Sequence, residues 1–337
     1  MAGAENSCAS VRVPVPLSFI TASLSLLLAL MTIPGNFLVC FAVFKDPHKS
    51  LKTPFTFFVV NLAVSDLIVG VMTEPISLLI HFREGLSLDI GHQFVWLIHM
   101  SYFISCTASV LNLAALTADR YTAISYPLRY RARFGTKRAI FITGSIWFVS
   151  CSLPFVYFKV GYLRYTFVFA NTAVALTLII FLLTYARVLR GMRVHVSELK
   201  TVRQSSQSEE NRARLRAASR DKKLTQVLMM MLGIFLFCYT PSCVMIYIMN
   251  LCLSCDCITI HVLRDLQFIF VLLSSALNPF LYAWRLPNFR RAFKRILLQR
   301  SIEEESLPRS MQDYREKRAL RTVELVSYSA RSLPDLS

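Results

Sequence analysis

The sequence predicts an all-α membrane protein: seven spanning helices in one bundle, followed by an amphipathic eighth helix. Three observations predict it. Apolar residues make up 55% of the 337 residues, more than an ordinary soluble domain carries, and mean hydropathy is strongly positive. They are gathered into long blocks rather than spread at the periodicity of a soluble core. The basic residues, finally, are divided very unevenly between alternate connections.

The blocks run at about 13–44, 53–82, 90–118, 139–158, 165–186, 224–251 and 266–284. Each is near or above the roughly 20 residues that a helix rising ~1.5 Å per residue needs to cross a ~30 Å hydrocarbon layer. With the N-terminus outside, 32 of the 37 Lys and Arg residues fall on cytoplasmic segments, and the outer segments keep only Arg12, Arg83, Lys159, Arg164 and Arg264. Basic residues stay inside during insertion, so a multi-pass plasma-membrane protein with an extracellular N-terminus is expected. The formal charge of +17 therefore reflects topology, and nucleic acid is not an expected partner.

The stretch before Pro14 lacks the basic and apolar regions of a removable signal peptide, so the first span is expected to direct insertion. Residues 1–13 are read as the extracellular N-terminus. Residues 14–297 form the membrane domain with its amphipathic helix. Residues 298–337, polar and charged, are read as a disordered cytoplasmic tail with serines open to phosphorylation. The connection at 188–220, rich in Arg, Ser, Gln and Glu, reads as a cytoplasmic loop with helical bases. After Trp284, Phe289, Phe293 and Leu297 recur every four residues between basic ones, as in a helix lying on the inner lipid surface.

Cys40, Cys106, Cys151, Cys238 and Cys243 fall within spans and read as small buried hydrophobes. Cys8, Cys252, Cys255 and Cys257 face the oxidising side. Four such cysteines allow three pairings, of which a bridge Cys252–Cys257 is the most local. No metal site is expected from this set.

Charges and prolines inside the spans carry the functional reading, because polar groups at membrane depth are costly. Asp119-Arg120-Tyr121 ends the third span. Asn278-Pro279-Phe280-Leu281-Tyr282 ends the seventh. Gly35-Asn36 lies in the first span, and Asn61-Leu62-Ala63-Val64-Ser65-Asp66 in the second. Trp147 and Pro154 mark the fourth, Tyr185 the fifth, and Phe235, Cys238 and Pro241 the sixth. Together, in this order, these motifs resemble the rhodopsin-like (class A) G-protein-coupled receptors from about residue 34 to 297.

On its own chemistry Arg120 wants a carboxylate, and Asp119 and Asp221 are the available partners. Pro241 and Pro279 place hinges at half depth. The resemblance implies that Asp119, Arg120, Tyr121, Tyr185, Asp221, Asn278, Pro279 and Tyr282 form the coupling switch. It implies a heterotrimeric G-protein inside, with arrestin and receptor kinases as further partners. Asp66, with Ser109, Ser274, Ser275 and Asn278, retains the parts of the family's sodium site. A protonated Asp66 in a water network is the plainer reading. No other cofactor is expected.

Several positions depart from the family. Val95 stands where the third span usually carries a cysteine, the second outer loop at 159–164 is very short, Thr177 replaces a common proline, and Tyr239 replaces a tryptophan. These departures, with the cysteine-rich third outer loop, most resemble melanocortin receptors within a group that includes cannabinoid, lysophospholipid and adenosine receptors. Tyr102 stands where amine receptors use aspartate, Leu272 where retinal proteins use lysine, and Ile246 and Leu272 where adenosine receptors use Asn and His. Helix phase predicts a pocket bounded by Glu74, His99, Tyr102, Cys106, Tyr239 and Phe268 for an extracellular peptide or a small lipid-like or nucleoside-like ligand. For each of these residues ordinary packing is an equal alternative. The alternatives in class are a constitutive or non-signalling receptor and, further off, a transporter or channel. Inverted repeats, a polar path and a nucleophile set are not visible, so no enzyme is expected.

Overall fold

The computed structural model describes residues 8, 11–45, 53–125, 130, 136–204, 209–252, 254–286, 289–293 and 296, with side chains except at 124, 125, 136, 163, 185, 187–222 and 284. By internal contacts the chain forms two units, Met1–Arg290 and Arg291–Ser337. The second is described only at 291–293 and 296, so the expected tail lies outside the described residues.

Among its described residues the first unit carries seven long helices: α1 Val15–Phe44, α2 Pro54–Gly85, α3 His92–Ser125, α4 Lys137–Val160, α5 Tyr162–Gln204, α6 Glu209–Leu251 and α7 Cys257–Arg285. All seven are long and apolar enough to cross a membrane. Residues 289–293 and 296 are helical too, with Phe289 buried and Arg290 exposed, the alternation expected of an amphipathic turn.

The bundle is inside out relative to a soluble protein. On α1 the buried face carries Ser18, Thr21, Ser25, Thr32 and Asn36, while Leu26, Leu27, Leu30 and Phe37 are exposed. Lipid is as apolar as leucine, so helix contacts are made by small and hydrogen-bonding residues and the large apolar ones face outward. Many buried hydroxyls also bond back one turn, as Ser105 to Ser101, Thr107 to Phe103 and Thr177 to Ala173 do.

Local sequence sets the irregularities. Thr53 caps α2 by accepting from the Thr56 N–H at 3.2 Å, with Pro54 in the first turn. Further on, Val69–Thr73 widen into a π turn in which the Glu74 N–H reaches the Val69 carbonyl. Pro75 follows; its ring would clash with the carbonyl four residues back, and the wide turn relieves this. The turn inserts one residue, so everything beyond it rotates by roughly 100°. Gly70 permits this turn to approach α1: a Cβ there would lie 2.9 Å from Ile33 Cγ1.

Pro279 does the analogous thing in α7. Lacking an N–H, it leaves the Ser275 carbonyl without its helical donor, and the Asn36 side-chain amide supplies one at 3.2 Å. Gly35 makes room, since a Cβ there would stand 3.0 Å from Pro279 Cγ.

The cysteine pairing differs from the local bridge expected. Cys8 bonds Cys257 and Cys252 bonds Cys255, with Cα–Cα separations of 5.3 and 5.7 Å, both in the range disulfides span. Asp256 explains why Cys252–Cys257 does not form. It is the extended N-cap of α7, accepting from Thr259 N and Oγ1 at 3.2 and 2.6 Å, so the loop has closed before Cys257 begins the helix. Those bonds to Thr259 hold the Asp256 carboxyl below its ordinary range. Cys257 instead meets the N-terminal segment. There Cys8 is buried with Ala170, Cys243, Ile246 and Ile260, and the Val11 carbonyl lies 3.1 Å from His261 Nε2.

Candidate functional site

At the end of the bundle opposite the disulfides, Asp119 and Arg120 close the last turns of α3. Arg120 Nε and Nη2 both donate to Asp119 Oδ2, at 2.9 and 2.5 Å. Tyr130, beyond α3, donates to Asp119 Oδ1 at 2.7 Å, and Arg120 Nη2 lies 3.3 Å from its hydroxyl. The guanidinium also sits 4.9 Å over the Phe55 ring of α2. Burial and the adjacent Asp119 charge push the Tyr130 phenol upward from its ordinary range, so it acts as a neutral donor to Asp119. Asp119 is fully buried and Arg120 nearly so. The charges are paired, as buried charges must be. The side chains of Tyr185 and Asp221 lie outside the described residues, and Tyr121 is half-buried.

The second group lies at mid-depth. Asn278 Nδ2 donates to Asp66 Oδ2 at 2.8 Å, joining α7 to α2. A cavity beside this bond is lined by Leu62, Asp66, Ser109, Leu113, Met231, Ile234, Phe235, Ser274 and Asn278. Ser275 also reaches the Asp66 carboxylate. Ser109 is bonded to Ser65 at 3.1 Å, and Ser274 donates to the Val271 carbonyl at 2.7 Å, which leaves oxygen lone pairs unspent. The expected set of Asp66 with Ser109, Ser274, Ser275 and Asn278 is thus gathered, and four of the five, Asp66 included, line the cavity itself.

Tyr282, one turn beyond Pro279, is fully buried against Phe289, and its hydroxyl is buried without a hydrogen-bond partner. A polar chain not read from the sequence as a unit braces the same level. Trp147 Nε1 donates to Asn61 Oδ1, and Asn61 Nδ2 to Asn112 Oδ1, each at 2.6 Å, tying α4, α2 and α3.

The six residues expected around a ligand divide. Tyr102, Cys106, Tyr239 and Phe268 converge: Tyr102 stacks on Phe268 with centroids 5.2 Å apart, and the Cys106 thiol contacts both tyrosine hydroxyls. Tyr239 stacks on Phe235 at 3.7 Å. His99 belongs to an adjoining aromatic cluster, stacked 4.2 Å from Tyr162 with Nδ1 3.0 Å from the Tyr157 hydroxyl. Glu74 is elsewhere. The π turn rotates it onto the α1 seam, where Oε1 accepts from Thr32 at 3.0 Å and Oε2 is buried without a partner.

Sequence reasoning also missed a charged cluster where α1, α2 and α7 begin or end near the disulfides. Asp265 Oδ1 accepts from Arg264 Nε at 2.9 Å and faces His81 Nε2 at 3.5 Å, and Oδ2 accepts from Thr21 at 3.0 Å. Arg264 Nη2 reaches Glu84 at 3.4 Å, and Glu84 accepts from Ser18 at 2.9 Å. The available signal was an ionisable pair at the head of a span. Among the described residues no group of three or more His, Cys, Asp or Glu could hold a metal ion.

The arrangement of seven spanning helices, an arginine closed on its neighbouring aspartate, and a proline-kinked α7 bonded to Asp66 can now be compared with known proteins. Residues 35–282 match the family described as 7 transmembrane receptor (rhodopsin family). The chain belongs to this family. Among similar proteins, melanocortin receptor 5 of Mus musculus is 29% identical over 283 residues, covering 81% of this chain and 82% of its own. The D(1B) dopamine receptor of Xenopus laevis is 26% identical over 328 residues, covering 82% and 69%. Melanocortin receptor 3 of Mus musculus is 26% identical over 295 residues, covering 83% and 85%. The chain is accordingly a multi-pass plasma-membrane receptor of the class A, melanocortin-receptor-like kind that signals through G-proteins.

Proposed function

We propose that this receptor, with its N-terminus outside, binds an extracellular ligand between α3, α6 and α7 and activates a heterotrimeric G-protein that changes cyclic AMP. The observation that carries the coupling half is the Arg120–Asp119–Tyr130 group. A permanently charged guanidinium is held by Asp119 and Tyr130, one and ten residues away, and lies over the Phe55 ring of α2. An agonist that prefers the open arrangement shifts the population toward it, by no more than that preference. Pro279 and Pro241 let the inner ends of α7 and α6 swing while the outer ends stay packed.

The ligand half rests on Tyr102, Cys106, Tyr239 and Phe268. They offer ring faces, a thiol and hydroxyls but no carboxylate, so a cationic amine lacks its counter-charge here. An uncharged or weakly polar ligand, or the aromatic side chains of a peptide, fits these surfaces. The close Tyr239–Phe235 stack favours a second reading, in which activation proceeds without an agonist. By family resemblance arrestin, receptor kinases and membrane lipid are further partners.

A sodium ion is proposed as a modulator at the Asp66 cavity. The carboxylate, two serine hydroxyls and the Asn278 amide form an oxygen-rich set suited to a hard monovalent ion. When bound, the ion supplies a positive charge that neutralises Asp66. Asn278 orients that carboxylate, and Leu113, Met231 and Phe235 exclude water.

Ligand-free cyclic AMP output, compared between the parent and Arg120→Ala at matched surface levels, tests the coupling. Loss of nucleotide exchange by tenfold or more, about 1.4 kcal/mol, is expected. Output equal to the parent in a chain shown to be active overturns the role of Arg120.

A further inference from the structure

We propose that the four cysteines at the head of α7 form a thiol–disulfide exchange site, in which reduction of Cys252–Cys255 by an extracellular dithiol moves the bond of Cys8 from Cys257 to Cys255. The two bridges are unequal. Cys252–Cys255 joins residues 3 apart in sequence, and Cys8–Cys257 residues 249 apart. A cross-link adds more to the fold the longer the loop it closes, so the short bridge is the one a reductant opens first.

Access orders them the same way. Cys252 and Cys255 are half-buried on a loop where Ser254 and Asp256 are exposed, whereas Cys8 is 3% exposed. A dithiol in water reaches the first pair and is kept from the sulfur of Cys8. Cys255, however, packs against the cluster that buries Cys8 with Ile246, Met249 and Ile260. The thiol released by reduction therefore lies where an outside one cannot go.

The chemistry balances in two stages. A sulfur of the dithiol attacks Cys252 Sγ, and Cys255 leaves as a thiolate. The second sulfur of the dithiol then displaces Cys252, which takes a proton; the dithiol has become a disulfide, and its two electrons reside on Cys252 and Cys255. In the second stage Cys255 Sγ attacks Cys8 Sγ. The Cys8–Cys255 bond forms, the Cys8–Cys257 bond breaks, and Cys257 leaves as a thiolate that takes a proton from water, with no net gain or loss of electrons. Cys257 is the first residue of α7, so the leaving thiolate meets the positive end of a long helix dipole, which favours this direction of exchange. The Asp256 carboxylate beside it is spent on Thr259 N and Oγ1 at 3.2 and 2.6 Å. The new bond closes a loop only two residues shorter than the old one, so chain entropy hardly changes.

What changes is the element that the N-terminal segment holds. Before exchange Cys8 is tied to the first residue of α7, and the Val11 carbonyl lies 3.1 Å from His261 Nε2 one turn on. After exchange Cys8 is tied to the loop, and the α6–α7 turn that Cys252–Cys255 had closed is open. An outside thiol thus loosens the heads of α6 and α7, the two helices that Pro241 and Pro279 kink. The placement of this site outside the cell rests on the orientation proposed above. The exchange itself does not, and it is measured on the purified chain without ligand or G-protein.

The test maps the bridges of the full chain purified in lipid nanodiscs. Free thiols are alkylated with N-ethylmaleimide in mildly acidic denaturant, and the linked peptides are identified by mass spectrometry. Cys252→Ser frees Cys255 without any reductant, and Cys255→Ser frees Cys252 as the control. Cys252→Ser is expected to show a Cys8–Cys255 bridge, with Cys257 alkylated several-fold more than in Cys255→Ser. Cys257 protected and Cys255 alkylated in Cys252→Ser, or Cys257 alkylated equally in both variants, overturns the proposal. Should Cys252→Ser fail to fold, the parent titrated with dithiothreitol decides. There the Cys8–Cys255 bridge is expected to appear as Cys252 becomes alkylated, and Cys252 and Cys255 alkylating together while Cys8–Cys257 stays intact overturns the exchange.

Discussion

Both ends of the bundle bury charge, but they do so with opposite architectures. At the end away from the disulfides the ion pair and its tyrosine, Asp119, Arg120 and Tyr130, are near neighbours in the chain, with the guanidinium also over the Phe55 ring of α2. At the other end Thr21, His81, Glu84, Arg264 and Asp265 come from three helices, with contacts spanning 244 residues between Thr21 and Asp265 and 180 between Glu84 and Arg264. A hydrogen-bonded group made by chain neighbours can exchange its own bonds with less movement of the helices. A distributed one can open only if the helices part. In the proposed orientation the difference matches the proposed division of labour, with an inner end that changes shape and an outer end that holds a frame for the ligand.

Substitutions that remove a charge from each end should therefore behave differently. Asp265→Ala strips Arg264, His81 and Thr21 of a shared acceptor deep between three helices. Breaking a buried ionic group in this way costs about 3–5 kcal/mol, so much of the variant should be retained inside the cell. Normal surface expression and an unchanged unfolding temperature would show that the distributed cluster is not structural. Asp119→Asn keeps the shape of the side chain and an oxygen that can still accept from Arg120 and Tyr130, so it is expected to cost only about 1 kcal/mol. Its effect should appear as ligand-free output several-fold above the parent at matched surface density. If instead it destabilises as strongly as Asp265→Ala, the contrast between the ends fails.

The same contrast decides what the sequence could show. Asp119 and Arg120 are adjacent, and Asp66 and Asn278 sit in ordered motifs, so their pairing was legible residue by residue. The Asp265 cluster was not. His81 looks like the last turn of one span and Arg264-Asp265 like the loop before another, and nothing one-dimensional shows that three helices bring them together. Glu74 was misplaced for a different reason: helix phase was carried through Pro75 as if the turn were regular, whereas the π turn advances the phase by one residue. The disulfides failed on locality, because the N-terminal segment folds over the head of α7. The seven helices themselves were plain, since long apolar blocks need no knowledge of partners.

Between the two ends, α1 and α7 meet through a smaller device that sharpens the comparison. Asn36 donates to the carbonyl that Pro279 leaves without a helical partner. Asn36→Ala removes that donor and should cost about 1 kcal/mol, the scale of one hydrogen bond in a membrane bundle. Because the kink itself comes from Pro279, agonist response should survive with a lowered unfolding temperature. A variant that unfolds with the parent but no longer signals would place Asn36 in the switch and not in the frame.

Tyr282 gives the smallest stability change, and it has the reverse sign. Its ring is packed against Phe289 while its hydroxyl is buried without a partner. In this arrangement the oxygen costs desolvation and returns nothing. Tyr282→Phe keeps the ring and removes the oxygen, so the receptor should be stabilised, by under about 1 kcal/mol. If the hydroxyl has its use in the open arrangement, as the position after Pro279 implies, the same variant should lose nucleotide exchange several-fold. Stability and signalling then move in opposite directions from the loss of one atom, an outcome packing alone does not produce. A Tyr282→Phe chain that is less stable and signals normally would show that the hydroxyl has a partner in the resting state, and the inner end would then be held by more than the Arg120 group.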